Sequence, residues 1–169
     1  MNIVIKDTSL NGVQMINTDR FEDYRGELGG IYDEQKYVVA GLNAKFIYDM
    51  VSMSYKNVLR GMHGDNETTK LVQCLHGTVY SVVVNCDENS PCFGKWQGFI
   101  LSDKNHTQLY IPPFYGNGYY VLSENSIYLY KMTQVHSNNQ FTYAWNDPRF
   151  NIRWPVDKPI LSERDDIIA

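Results

Sequence analysis

The spacing of apolar residues constrains this chain most. Nowhere does an i, i+3, i+4, i+7 pattern persist over three turns, so no long amphipathic helix is expected. Instead, runs rich in Tyr, Val, Ile and Leu recur, cut by turn residues about every 8–12 positions, the rhythm of a sandwich or barrel. KLVQCLHGTVYSVVVNCDENSP, residues 70–91, reads as two strands around His76-Gly77. WQGFILSDKNHTQLYIPP, residues 96–113, gives two more, broken at SDKNH. GYYVLSENSIYLYKMTQV, residues 118–135, reads as a hairpin turning at SENS. Thirteen Tyr and seven Phe suit a pleated, half-buried surface. DEQKYVVAG, residues 33–41, reads as a short helix or a loop, and the Pro-, Asp- and Arg-rich end, residues 145–166, as an ordered tail folded on the body. The expected architecture is all-β: one antiparallel jelly-roll barrel with a few short helices, a single domain over residues 1–169.

Charge and cysteine content narrow the function classes. Fifteen basic and nineteen acidic residues leave a formal net charge of -4, which argues against a general nucleic-acid binder while permitting a local basic pocket. No apolar run approaches the roughly 20 residues of a membrane span, and the N-terminus lacks the pattern of a secretory leader. A cytoplasmic protein without membrane contact is expected. Cys74, Cys86 and Cys92 form no CxxC and leave an odd count, which reads as reduced thiols.

VLRGMHGDNETTK, residues 58–70, places His63 between cations. Two readings stand side by side: a histidine at a strand end with no chemistry, or a general base whose far nitrogen is oriented by a carboxylate, either nearby Asp65 or a distant acid. A metal site is the rival, but one His with scattered carboxylates is a weak ligand set, and His76, His106 and His136 stand apart; no metal or other cofactor is expected. Tyr128 and Tyr130 share one strand face. They either brace the sheet or face the barrel interior, where their hydroxyls need partners. Arg25, Arg60 and Lys70 are candidates for an anionic group or, equally, solvated surface charge.

The order and spacing of FEDYRGEL, VLRGMH, the long segment from Lys70 to Pro113, VLSENSIYLYKMTQ, WNDPRFNIRWP and LSERD resemble the nucleotide-sugar 3,5-epimerases, from about Phe21 to Asp165. The resemblance implies a metal-free jelly-roll cupin, usually a homodimer, acting on a nucleotide-diphosphate sugar. It assigns His63 as base, Asp165 as its carboxylate partner, Tyr130 as the acid across the sugar ring and Lys70 as the group beside the 4-keto oxygen. Arg25 and Arg60 would hold the diphosphate, and Glu27, Tyr48 and Asn117 would join the substrate contacts. The chemistry suits these types. A 4-keto group acidifies the C–H bonds at C3 and C5, the resulting enolate needs a fixed cation, and inversion needs a base on one face and an acid on the other. A non-catalytic sugar-nucleotide-binding cupin and a metal-dependent cupin are the competing readings.

Departures from the family pattern bear on the substrate. Asn117, in FYGNGYY, stands where a second histidine is usual. It can bond a hydroxyl but cannot shuttle a proton, so inversion at C3, at C5 or at both stays open. Leu28 and Gly30, in RGELGG, stand where dTDP-using members carry a Phe and a Glu against thymine, and Tyr48 and Met50 replace Gln and Asn. Together with QFTYAWND, these changes are similar to a branch acting on GDP-4-keto-6-deoxy-heptoses in capsule polysaccharide synthesis, the expected substrate, with a dTDP-linked sugar as the alternative.

Overall fold

Two antiparallel sheets, packed face to face, carry the chain in a computed structural model that describes residues 1–167. The first sheet runs in the order β1 (Ile3–Asp7), β2 (Gln14–Thr18), β10 (Gln108–Ile111), β7 (Lys70–His76), β12 (Asn125–Met132) and β5 (Tyr48–Tyr55). The second runs β13 (Gln140–Thr142), β6 (Leu59–Asp65), β11 (Tyr115–Val121), β8 (Thr78–Asn85) and β9 (Trp96–Ser102). A separate small hairpin, β3 (Phe21–Asp23) with β4 (Gly26–Leu28), projects from the body. The single α-helix among the described residues, α1 (Glu34–Val39), begins at Asp33, whose carboxylate accepts from the Lys36 amide. It buries Tyr37 against Ile16, Leu42 and Leu71 on the outer face of the first sheet. This is the expected jelly roll.

The core lies between the sheets. Val72, Cys74, Leu109, Ile111 and Tyr128 from the first meet Val79, Val83, Leu101, Tyr119 and Val121 from the second. Each large side chain buried there contributes on the order of 1.5–3 kcal/mol. The hairpin expected at SENS does not form: β11 pairs with β6 and β8, whereas β12 pairs with β5 and β7. The turn crosses from one sheet to the other instead, tied down where the Leu122 amide donates to the Thr78 carbonyl and Ser123 Oγ accepts from the Thr78 amide. The two strands place their apolar faces toward each other across the core, so that Tyr119 and Tyr128 stack at 4.3 Å between ring centres. The runs flanking His76-Gly77 and SDKNH cross in the same way.

A second apolar layer covers the outside of the second sheet. Met62, Val82, Val84 and Cys86 pack under Phe150, with Trp154 edge-on to Tyr80. The tail that supplies these aromatics is therefore part of the fold. It returns along β6, where the Leu59 amide donates to the Ile160 carbonyl and the Ile160 amide to the Asn57 carbonyl. All three cysteines are free thiols, Cys74 and Cys86 buried and Cys92 exposed.

Candidate active site

The return of the tail sets the first element of the site. Ile160 anchors the chain on β6, and the turn that follows delivers Asp165 to His63, 102 residues away in sequence. Nε2 of His63 and Oδ1 of Asp165 lie 2.6 Å apart. Asp165 is buried, at 2% exposure. Burial pushes its carboxyl upward, but the hydrogen bond and charge of His63, with smaller help from the Gly61 amide and Ser162, outweigh that and hold it below the usual carboxylate value. An ionised Asp165 accepts the hydrogen bond of the Nε2–H, leaving Nδ1 of His63 as the free base. Close strand approach is what fits the pair under the sheet: a Cβ on Gly61, whose φ is +133°, would lie 2.5 Å from the Gly118 Cα.

His63 lines a cavity of about 270 Å³, together with Tyr48, Met50, Lys70, Tyr130 and Met132. Tyr130 is on β12, in the opposite sheet, so base and phenol approach the same space from different walls. Of the two sequence readings, the tyrosines face the interior: Tyr128 is fully buried and its hydroxyl meets Ser81 Oγ at 3.1 Å. The Tyr130 phenol is raised well above its ordinary value, chiefly by burial, then by the neighbouring phenols Tyr119 and Tyr128; contact with Ser52 and the charge of Arg60 oppose this. It stays protonated at neutral pH.

Lys70 begins β7 on the cavity wall. Its Nζ donates to the His63 carbonyl at 3.1 Å, and among the described residues no carboxylate lies within ion-pair distance. Desolvation lowers its pKa, the charge of Asp65 pulls the other way, and Arg164 adds to the lowering. A half-buried ammonium without an anion is costly unless an anionic partner arrives, so the site is prepared for negative charge at this point.

The other expected residues are placed differently. Tyr48 is in the cavity wall. Arg60 is half-buried and lies outside the lining, its Nε donating to Ser54 Oγ at 2.9 Å. Asn117 pairs with His63 across β11 and β6, but its amide nitrogen turns into the core, toward Ser81 Oγ and the Val82 carbonyl, so it does not reach the cavity. Arg25 and Glu27 sit on the small hairpin, away from His63 in this single chain: Arg25 is exposed and bidentate to Asp23, and Glu27 Oε2 accepts from His106 Nε2 at 2.9 Å. Sequence reasoning missed Gln134, His136, Gln140 and Arg164, which complete the rim. The adjacent motifs offered a signal, since Gln134 and His136 follow Tyr130 in YKMTQVH and Arg164 precedes Asp165. Among the described residues no three His, Cys, Asp or Glu converge as metal ligands, and no helix is long and apolar enough to cross a membrane.

A jelly roll holding a carboxylate-backed imidazole and a protonated phenol on facing walls is the architecture of an acid–base enzyme. Comparison with known proteins agrees. The family model described as dTDP-4-dehydrorhamnose 3,5-epimerase matches residues 7–169. The dTDP-4-dehydrorhamnose 3,5-epimerase of Salmonella typhimurium is 39% identical over 171 residues, covering 98% of this chain and 93% of that protein. A crystal structure of the Bacillus anthracis dTDP-4-dehydrorhamnose 3,5-epimerase, with TDP and PPi bound, superposes with a TM-score of 0.93 at 32% identity, covering 99% of both chains. A Legionella pneumophila dTDP-6-deoxy-D-glucose-3,5-epimerase in complex with dTDP-4-keto-L-rhamnose gives 0.90 at 33% identity, covering 97% of this chain and 90% of that one. The chain belongs to the dTDP-4-dehydrorhamnose 3,5-epimerase family: it is a nucleotide-sugar 3,5-epimerase, an isomerase acting on a nucleotide sugar. The names of these relatives point to dTDP sugars and lend no support to the GDP-heptose, capsule-specific expectation.

Proposed function

We propose that this epimerase acts on a dTDP-linked 4-keto-6-deoxy sugar. His63, held by Asp165, removes the proton from the carbon beside the ketone. Lys70 neutralises the enolate oxygen, and Tyr130 returns a proton to the opposite face. Tyr48 and Met50 shape the sugar pocket, and Arg60 turns its remaining N–H groups to the diphosphate. The observation that carries the reading is the meeting, on one cavity, of a His63–Asp165 pair, a phenol from the other sheet and an ammonium with no carboxylate in ion-pair range among the described residues. Incubating the protein with dTDP-4-keto-6-deoxyglucose in D₂O should place deuterium at C3, C5 or both, seen by NMR. Absence of exchange with dTDP-, GDP-, UDP- and CDP-linked 4-keto sugars would sink it.

A GDP-linked 4-keto-6-deoxy-heptose remains the second reading, favoured by one feature: the hairpin ends in an exposed Leu28, with Gly30 just after it, where an aromatic and a Glu would suit thymine. Parallel affinities for GDP and dTDP separate the two. We also propose a homodimer. Val51, Met53 and Tyr55 on the edge strand β5, with Leu75 on β7, leave apolar surface exposed on the first sheet. A second copy there would cover this face, and the projecting hairpin could then carry Arg25 to the partner's cavity. Light scattering in solution reads the mass directly. The location in the cytoplasm is likewise a proposal, in keeping with a biosynthetic enzyme.

A further inference from the structure

Tyr119 is wholly buried, yet its hydroxyl is the centre of a polar chain inside the barrel. Arg60 Nε donates to Ser54 Oγ at 2.9 Å; Ser54 Oγ and the Tyr119 hydroxyl are 3.0 Å apart; the Tyr119 hydroxyl and Ser52 Oγ are 2.8 Å apart. Ser52 sits opposite Tyr128 in the β5–β12 ladder, on the face it shares with Met50, the partner of Tyr130. That makes Ser52 the diagonal neighbour of Tyr130, and its hydroxyl is the hydrogen-bonding group that opposes the upward push of burial on the Tyr130 phenol. We infer that Tyr119, with Ser52 and Ser54, is a positioning residue for the reaction: it carries a one-way hydrogen-bond chain from Arg60 to Tyr130, which aims the Tyr130 proton into the cavity and supports the phenolate left behind.

The direction follows from the donor inventory. A guanidinium only donates, whereas each hydroxyl both donates and accepts. With Ser54 Oγ accepting from Arg60, its own hydrogen is free for the Tyr119 oxygen. Tyr119 then donates to Ser52, and Ser52 to the Tyr130 oxygen. A Tyr130 oxygen that accepts from Ser52 keeps its own hydrogen for the cavity. When the acid acts, the Tyr130 O–H bond breaks, a C–H bond forms on the ring carbon, and the enolate's negative charge passes to the phenolate. The phenolate then receives the Ser52 hydrogen bond, strengthened along the chain by the fixed charge of Arg60. Such a bond, stronger with the charged form than with the neutral phenol, acts on the transition state more than on substrate binding. Neither Tyr119 nor Ser54 lines the cavity, so neither needs to touch substrate.

The inference rests on the reading of Tyr130 as the acid, and two variants separate the two claims. Tyr119→Phe removes one oxygen and keeps the ring that stacks on Tyr128. Its inversion kcat should fall roughly tenfold or more, the loss of one hydrogen bond to a charged group. KM and the His63-side exchange of substrate hydrogen with D₂O should stay within about twofold, so the ratio of exchange to inversion rises. A purely structural role would lower exchange and inversion together and would lower Tm. Ser52→Ala, which cuts the chain nearer the acid, should give the same changed ratio, and Ser52→Thr, which keeps a hydroxyl, should restore it. Tyr130→Phe should exchange without inverting. If Tyr130→Phe loses inversion while folded Tyr119→Phe and Ser52→Ala keep the native ratio, the chain is overturned and the acid assignment stands. If Tyr130→Phe inverts at the native rate, the acid assignment itself fails, and the chain with it.

Discussion

The two walls of the cavity are built on opposite principles. On the second-sheet wall, His63 is backed by a buried, ionised carboxylate. On the first-sheet wall, Tyr130 is surrounded by phenols and hydroxyls, with Tyr128 at 4.9 Å between ring centres and Ser52 alongside. A base must gain a proton and become positive, so an anion behind it helps. An acid must hold its proton until needed, so burial among phenols and hydroxyls suits it, and a nearby carboxylate would only keep it protonated too firmly. One cavity holds both groups here because they come from different sheets, each with its own surroundings.

Breaking the ionic wall should have the largest effect. His63→Asn is expected to lower turnover by about 10⁴-fold, the upper end for a general base, with Tm little changed. Steady-state assays beside thermal melts check this; a variant that keeps near-native turnover removes the basis for comparing the walls. Asp165→Asn should cost roughly 10³-fold by presenting the wrong partner to Nε2. Its stability effect has a defined sign. The carboxyl of Asp165 is held below the ordinary aspartate value, so its stabilisation is complete above that value and lost as pH falls through the folded pKa. The Tm gap between native protein and Asp165→Asn should therefore be widest near neutrality and narrow in acid.

Lys70, at the start of β7 in the first-sheet wall, sharpens the comparison. Lys70→Met should lower kcat by roughly 10²-fold through loss of the enolate's cation. The native pKa of Lys70 lies below 10.5, so between the two values the unfolded chain binds more protons and stability rises with pH. In Lys70→Met that rise should flatten, and Tm at neutral pH should equal or exceed the native value; a large drop would mean that the ammonium is structural. The smallest effect belongs to Tyr128→Phe, which loses the Ser81 bond and lies outside the chain to Arg60. It should cost about 1 kcal/mol of stability and leave inversion within about threefold.

How much of this was legible in the sequence depends on the range of the interaction. Each strand from β7 to β12 was visible, because alternation and turn residues are properties of neighbours. Their pairing was not: Leu122–Glu124 looks like a hairpin turn whether the strands it joins share a sheet or face each other across a core. The Asp165 partner was reached through the LSERD motif, since no local rule joins residues 102 apart. Asn117, Arg25 and Glu27 carried suitable chemistry in suitable motifs, yet in the single chain Asn117 is turned into the core and the other two stand on the projecting hairpin.

The chain's residues alone determined an all-β body, the acid–base types and the family pattern, because strand propensity, turn chemistry and motif order are written in local sequence. Tertiary structure decided which sheet each strand joined, which side chains share a cavity, and that among the described residues Lys70 lacks a carboxylate partner while His63 has one. Those facts depend on backbones distant in sequence being brought within a few ångströms, where burial and charge set what each group can do.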